Sequence, residues 1–245
     1  MTCKLCGDRG IILNGDAAVP CSCVKQANLE NLIRSSNLPD NFINCSLNNF
    51  SFKYYAKDIK DPETGLSYFD LAKYAHKAAK DFVERFFIDP KTDGLLFTGN
   101  VGSGKTYLAC SIANALLKQG RLVLFVEVSD LLDKIRSTYD HGRNPDDVSE
   151  YQLLETARQV PLLILDDLGA HNYTDWTKNK IYSIINYRLN QRLPVIVTTN
   201  IKLDDIMEYL GERTTSRLLE MCRLSKLMVD IDIRALRRRE KNSKY

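Results

Sequence analysis

The chain has 245 residues, 44% of them hydrophobic and 27% charged, the balance of a folded protein with a sizeable core rather than a disordered chain. Its net charge of +3 is too small to require a polyanionic partner and is unevenly placed, with +5 on residues 234–245 and −2 on everything before them. No apolar run approaches the ~18 residues of a membrane span and the opening MTCKLCGDRG lacks a signal-peptide pattern, so the expected compartment is the cytoplasm, with no membrane partner.

Four of the seven cysteines fall in the first 23 residues. Cys3-x2-Cys6 and Cys21-x-Cys23 form two close pairs, and disulfides are disfavoured in the cytosol. Two thiolate pairs across a loop, with a Gly-Asp-Arg-Gly turn after Cys6, suit tetrahedral zinc. Reduced bystander thiols or a redox pair are the alternatives. A four-thiolate site leaves no open coordination position, so its zinc would be structural. So short a segment has little core, and metal binding would supply its folding energy.

A short helix is expected over 24–34, followed by an Asn-rich, aromatic, irregular stretch over 37–61 that suits a linker lying along the next domain. Residues 68–87 read as a helix, with Leu71, Tyr74, Ala75, Ala78, Ala79 and Phe82 at helical spacing. From Gly94 apolar runs alternate with amphipathic helices. The run LLF leads into residues 99–106 and a helix reaching 119, closed by Gly120. Next come the run 122–126, a helix 130–139 capped by Ser129, the polar loop HGRNPDD, and a helix 150–158 opened by a Ser149-x-x-Gln152 capping box. PLLILDD, a helix over 175–191, PVIVTTN, a helical stretch over 204–222 and a last β-like run over 227–231 complete the chain before its basic tail. Short continuous apolar strands between helices predict a parallel sheet covered on both faces, here an α/β domain with five core strands. The expected division is a zinc-binding module over 1–36, a linker over 37–67 and a main α/β domain over 68–245.

Gly99-x4-Gly104-Lys105-Thr106 fits the phosphate-binding P-loop pattern, and it stands between an apolar run and a helix as that reading requires. Gly99, Asn100, Val101, Gly102, Ser103 and Gly104 would wrap phosphates with backbone N–H groups, with Tyr107 next to the loop. Lys105 would reach the β and γ phosphates and the Thr106 hydroxyl would coordinate Mg²⁺. An apolar strand ending in Asp166 places a carboxylate at the sheet edge beside that loop, where it would ligate Mg²⁺. Asp167 is placed to polarise an attacking water, with a capping role as the alternative. Asn200, ending the TTN strand, is a candidate γ-phosphate sensor or a turn cap.

The order of phosphate loop, LLILDDLG, TTN, GERTTSRL and a closing Asp232-Ile-Arg234 resembles the AAA+ helicase loaders of the DnaC/DnaI type over residues 40–240. It is also similar to their relatives, the IstB transposition ATPases. The cysteine module looks like the zinc-binding, helicase-contacting domain of DnaI-type loaders. The resemblance implies an AAA+ P-loop ATPase using ATP and Mg²⁺. Arg217 would be an arginine finger acting on a neighbouring subunit's ATP, Arg213 its support one turn earlier, and Arg234 a second sensor. A surface salt bridge is the alternative for each arginine. The implied partners are a DnaB-type replicative helicase, single-stranded DNA and further copies of the chain, in replication initiation. An IstB-type transposition ATPase is the rival function, although that group typically lacks the four-cysteine module. A small-molecule phosphotransferase fits the paired acids and Asn200 poorly, and a vestigial nucleotide site would be exposed by measuring hydrolysis. Lys134, Arg136, Tyr139 and Arg143 could follow a single strand or simply form a solvated face, as could Arg237-Arg-Arg239.

Overall fold

The computed structural model describes residues 3–7, 9–14, 17–140, 149–169 and 173–242. Its first element is a small antiparallel hairpin of β1 (Ile11–Asn14) and β2 (Ala17–Pro20), which the cysteine spacing did not foretell. It is followed by helix α1 (Ser22–Ser35), whose Leu32 and Ile33 pack against the main core. Residues 40–54 then make three single 3-10 turns. Leu38 and Tyr55 bracket this stretch, and both are buried in that core. Irregular backbone therefore lies on the main α/β core rather than spanning a gap.

Helix α2 (Tyr68–Ile88) is capped by Ser67, whose hydroxyl accepts from the Asp70 N–H at 3.0 Å. Leu71, Ala72, Ala75, Ala79, Phe82 and Phe86 form its buried face. Tyr74, expected on that face, is 60% exposed. After it come β3 (Gly94–Thr98), α3 (Lys105–Leu117), β4 (Val123–Glu127), α4 (Val128–Asp140), α5 (Glu150–Gln159), β5 (Leu162–Asp166), α6 (Asp175–Gln191) and β6 (Val195–Thr198). The chain continues through α7 (Leu203–Leu210), α8 (Glu212–Met221), β7 (Cys222–Lys226) and α9 (Ile233–Asn242).

Five strands pair in the order β4-β5-β6-β3-β7, all parallel, as the alternation of apolar runs and helices predicts. Side chains of successive strand residues point to opposite faces. Leu95, Phe97, Leu162 and Ile164 therefore join α2 and α3 in one buried cluster. Leu96, Leu163 and Leu165 join α4, α5, α6 and α8 in another.

Three boundaries differ from expectation. The last strand is β7 rather than residues 227–231: Leu227 and Val229 are buried just beyond it, whereas Leu224 on this edge strand is 49% exposed. Apolar content marked the covered residues, not the paired ones. The helical stretch 204–222 breaks at Gly211, which has φ of 82° and joins α7 to α8. Helix α4 starts directly from β4, and the Ser129 hydroxyl donates to Glu127 Oε1 at 3.0 Å instead of capping. Arg143 and the loop around it lie outside the described residues, as does the Tyr139 side chain.

Candidate nucleotide site and thiol cluster

The loop joining β3 to α3 sits where three strands end side by side. Gly99 and Gly104 have positive φ of 135° and 95°. A Cβ on Gly99 would stand 1.7 Å from the Leu227 carbonyl oxygen, so the loop and the chain after β7 approach each other as only glycine allows. Asn100 fastens the same seam: its Nδ2 donates to the Val229 carbonyl at 2.6 Å and its Oδ1 accepts from the Val229 N–H at 3.1 Å. Val101 forms the exposed tip. Gly102 accepts from the Ile233 N–H at 3.2 Å, and the Asp232 carboxylate occupies the space a Gly102 Cβ would need. The start of α9 is thereby welded to the loop.

Lys105 is 6% exposed, and its ammonium donates to the Gly99 and Asn100 carbonyls at 2.8 Å and to Asn200 Oδ1 at 2.6 Å. Burial pulls its pKa down to about 8, with Asp167 and Asp166 pushing it back up and Arg234 adding repulsion. Asn200 Nδ2 donates to Asp167 Oδ1 at 2.7 Å, so one amide bridges the lysine and the second acid. Asp167 adopts φ of 56°, a left-handed conformation that Asp tolerates better than most residues.

Asp166 is 8% exposed at the end of β5. Thr106 Oγ1 donates to its Oδ2 at 3.1 Å, and Thr198 Oγ1 to its Oδ1 at 2.6 Å. Thr198 also accepts from the Asp167 N–H at 3.0 Å. Burial raises the Asp166 pKa, while these two hydroxyls oppose the shift. The adjacent oxygens of Thr106 and Asp166 are a donor set that suits a hard divalent cation such as Mg²⁺. Sequence reasoning missed Thr198, because a strand threonine carries no mark of what it faces. Tyr107 also lines this cleft, its hydroxyl donating to the Ser46 carbonyl at 3.2 Å.

These groups share a cleft of about 1430 Å³ whose walls come from residues 39–55 on one side and α9 on the other, including Arg234, Arg237, Arg238 and Lys241. Residues 39–55 were not predicted to be part of the site. Arg234 lies in the cleft, and its N–H is capped by Asp232 Oδ1 at 2.7 Å. Arg217 does not line it: its Nε donates to Asn186 Oδ1 at 2.8 Å and its guanidinium lies 4.9 Å from the Tyr182 ring centroid. Arg136 sits 5.7 Å from the Trp176 ring centroid.

A second constellation lies in the N-terminal module. The hairpin returns the chain so that the Cys21 N–H donates to the Gly10 carbonyl at 2.8 Å. The sulfurs of Cys3, Cys6, Cys21 and Cys23 then lie within 4.8 Å of one another. Cys3 and Cys21 are 3.8 Å apart and Cys6 and Cys23 3.4 Å. Tetrahedral Zn–S bonds of about 2.3 Å imply sulfur–sulfur edges of about 3.8 Å, so the donor set fits zinc. Backbone N–H groups of Cys6 and Leu5 draw the Cys3 thiol down to about 7.

Comparison with known proteins adds the family. Residues 59–244 match the family described as IstB-like ATP binding protein. The chain belongs to this IstB-like ATP-binding family. It is 29% identical over 170 residues to the replicative helicase loader DnaC of Escherichia coli (strain K12), covering 69% of this chain and 63% of DnaC, under two thirds of that relative's length. The crystal structure of the DnaC helicase loader superposes with a TM-score of 0.61 at 28% identity, covering 78% of this chain and all of that one. The crystal structure of DnaI gives 0.57 at 24% identity over 78% and 92%, a likeness of fold. This member of the IstB-like family is thus an α/β P-loop protein of AAA+ type with a five-stranded parallel sheet, preceded by a four-cysteine cluster.

Proposed function

We propose that the chain is an ATP-dependent loader that delivers a ring-shaped replicative helicase of the DnaB type onto single-stranded DNA. The observation that carries this reading is the match to the DnaC loader, in sequence and along the whole of its crystallised chain. The thiol cluster lies outside residues 59–244, which the ATP-binding family covers, and supports a separate partner-gripping module over 1–36 that holds Zn²⁺. Residues 37–67 then connect it to the ATPase domain over 68–245.

In this reading the backbone of residues 99–104 and the Lys105 ammonium bind the nucleotide phosphates. Thr106 and Asp166 hold Mg²⁺, which when bound offsets phosphate charge. Asp167, aligned by Asn200, orients the water that attacks the γ-phosphate and takes up its proton. Arg234 reaches the same phosphate from α9. Arg217 stands outside its own cleft, which suits action on a neighbouring copy's ATP, and Arg213 braces it by accepting from Arg217 Nη1 at 3.1 Å through its carbonyl. Assembly of several copies beside the helicase would bring such pairs together, with Lys134 and Arg136 available to the strand. Hydrolysis would then release the loader, in the cytoplasm.

Co-purification with DnaB-type helicases, with and without ATP, tests the reading. Capture of such a helicase, abolished when residues 1–36 are deleted, is the expected result. Capture of a transposase instead would place the chain with the IstB transposition ATPases.

A further inference from the structure

Tyr55 belongs to no motif, yet its side chain is 4% exposed. It follows the turn Phe52–Tyr54 in the irregular segment that walls the cleft. Its ring stacks on Phe50 at a centroid distance of 5.6 Å and 27° between planes, and Phe50 stacks on His76 of α2 at 5.3 Å. The column is pinned where His76 Nε2 meets the Leu47 carbonyl at 2.7 Å. This packing delivers a hydroxyl to the phosphate loop, where Tyr55 donates to the Ser103 carbonyl at 2.7 Å. A Cβ on Gly104 would lie 2.9 Å from the Tyr55 hydroxyl oxygen. Burial raises the Tyr55 pKa, so the group stays a donor throughout the working pH range.

A trans peptide is planar, and its C=O and N–H point in opposite directions. Tying the Ser103 carbonyl to Tyr55 turns the N–H of Gly104 to the other side of the loop. Gly104 is the N-cap of α3, a position whose N–H has no partner within the helix. Such an N–H is a ready donor to phosphate. A flip of that peptide would present the carbonyl oxygen instead, which repels phosphate. We propose that Tyr55 is a positioning residue for nucleotide: its hydroxyl holds the Ser103–Gly104 peptide in the orientation that offers the Gly104 N–H to a bound polyphosphate. This rests on the reading of residues 99–106 as the phosphate loop.

Tyr55→Phe keeps the ring stack and removes only the hydroxyl. In calorimetric titrations of the full chain, the dissociation constants of ATP and ADP should both rise about tenfold, the scale of one lost hydrogen bond. Phe86→Leu serves as the comparison, since Phe86 is fully buried on the inner face of α2 and does not line the cleft. It should lower the melting temperature but leave both dissociation constants within about twofold of wild type. Unchanged ATP and ADP affinity in Tyr55→Phe would overturn the proposal, as would an equal loss in Phe86→Leu. A wild-type chain that binds neither nucleotide would remove the phosphate-loop reading itself and the proposal with it. Wild-type binding beside an unaffected Tyr55→Phe removes the proposal alone.

Discussion

Lys105 carries its charge in a place that resists it. Burial lowers its pKa to about 8 in spite of the two nearby carboxylates, and phosphate oxygens would favour the ammonium form. ATP binding should therefore take up a proton wherever the free protein has lost one, that is, above pH 8. The affinity should be flat up to pH 7 and fall about tenfold between pH 7 and pH 9, as a group titrating at 8 dictates. Calorimetry at pH 8.5 in buffers of different ionisation enthalpy should register that uptake. A constant affinity up to pH 9.5 would show that the lysine is not the group being neutralised. Asn200 gives the same site its second property, because the amide that accepts from Lys105 also donates to Asp167. A change at the lysine is thus passed directly to the acid proposed to orient water.

At the level of elements, the end of the sheet opposite the cleft is held by one side chain. Arg188 on α6 is completely buried. Its guanidinium donates to the carbonyls of Ala157, Arg158 and Val160 at 3.0, 3.1 and 2.9 Å, and to those of Pro161 and Pro194 at 3.3 and 2.6 Å. These carbonyls lie where α5 ends and where β5 and β6 begin, so a single planar cation satisfies the turns that set both strands. Arg188→Leu strands several buried acceptors and should cost about 3 kcal/mol or more. For a domain of this size that is a fall of about 6–12 °C in melting temperature. ATP affinity measured well below the transition should stay near wild type, because the cleft is at the other ends of the strands. A melting temperature within 2 °C of wild type (about 1 kcal/mol or less) would contradict this account.

Across the whole molecule, the thiol cluster and the nucleotide site are stabilised by different means. The buried residues of the main core begin at Leu38, and the module before it contributes Leu32 and Ile33 only from the partly buried edge of that core. Purified under reducing conditions, the chain should contain about one zinc, and chelation should unfold the region before residue 36 while ATP binding persists. A metal-free chain with an intact hairpin, or loss of ATP binding on chelation, would refute this division. At the other end, α9 spans the cleft mouth from Gly102 to the irregular segment before α2, where Lys53 Nζ and the Tyr54 hydroxyl bind the Glu240 carboxylate at 2.8 and 3.1 Å. The basic tail stays exposed, as a solvated face would, and also lends Arg237, Arg238 and Lys241 to one wall of the cleft.

Much of this protein was legible in its sequence because the deciding signals are local. Glycines at 99 and 104 before a lysine specify a backbone shape within eight residues, and apolar runs alternating with helices specify a two-faced parallel sheet. Clustered cysteines pointed to a common centre for the same reason of proximity. What remained hidden depends on residues far apart in the chain. Thr198 meets Asp166 across 32 positions and Tyr55 meets Ser103 across 48, and neither residue type announces such a partner. The position of β7 was likewise settled by pairing with β3 rather than by its own apolar content, since an edge strand can leave Leu224 half exposed while Leu227 beyond it is buried. Sequence alone determined the parallel character of the sheet and four of its five strands, the phosphate loop and the thiol set. Tertiary structure alone decided which side chains orient them, because that orientation is made by contacts that exist only once the chain has packed.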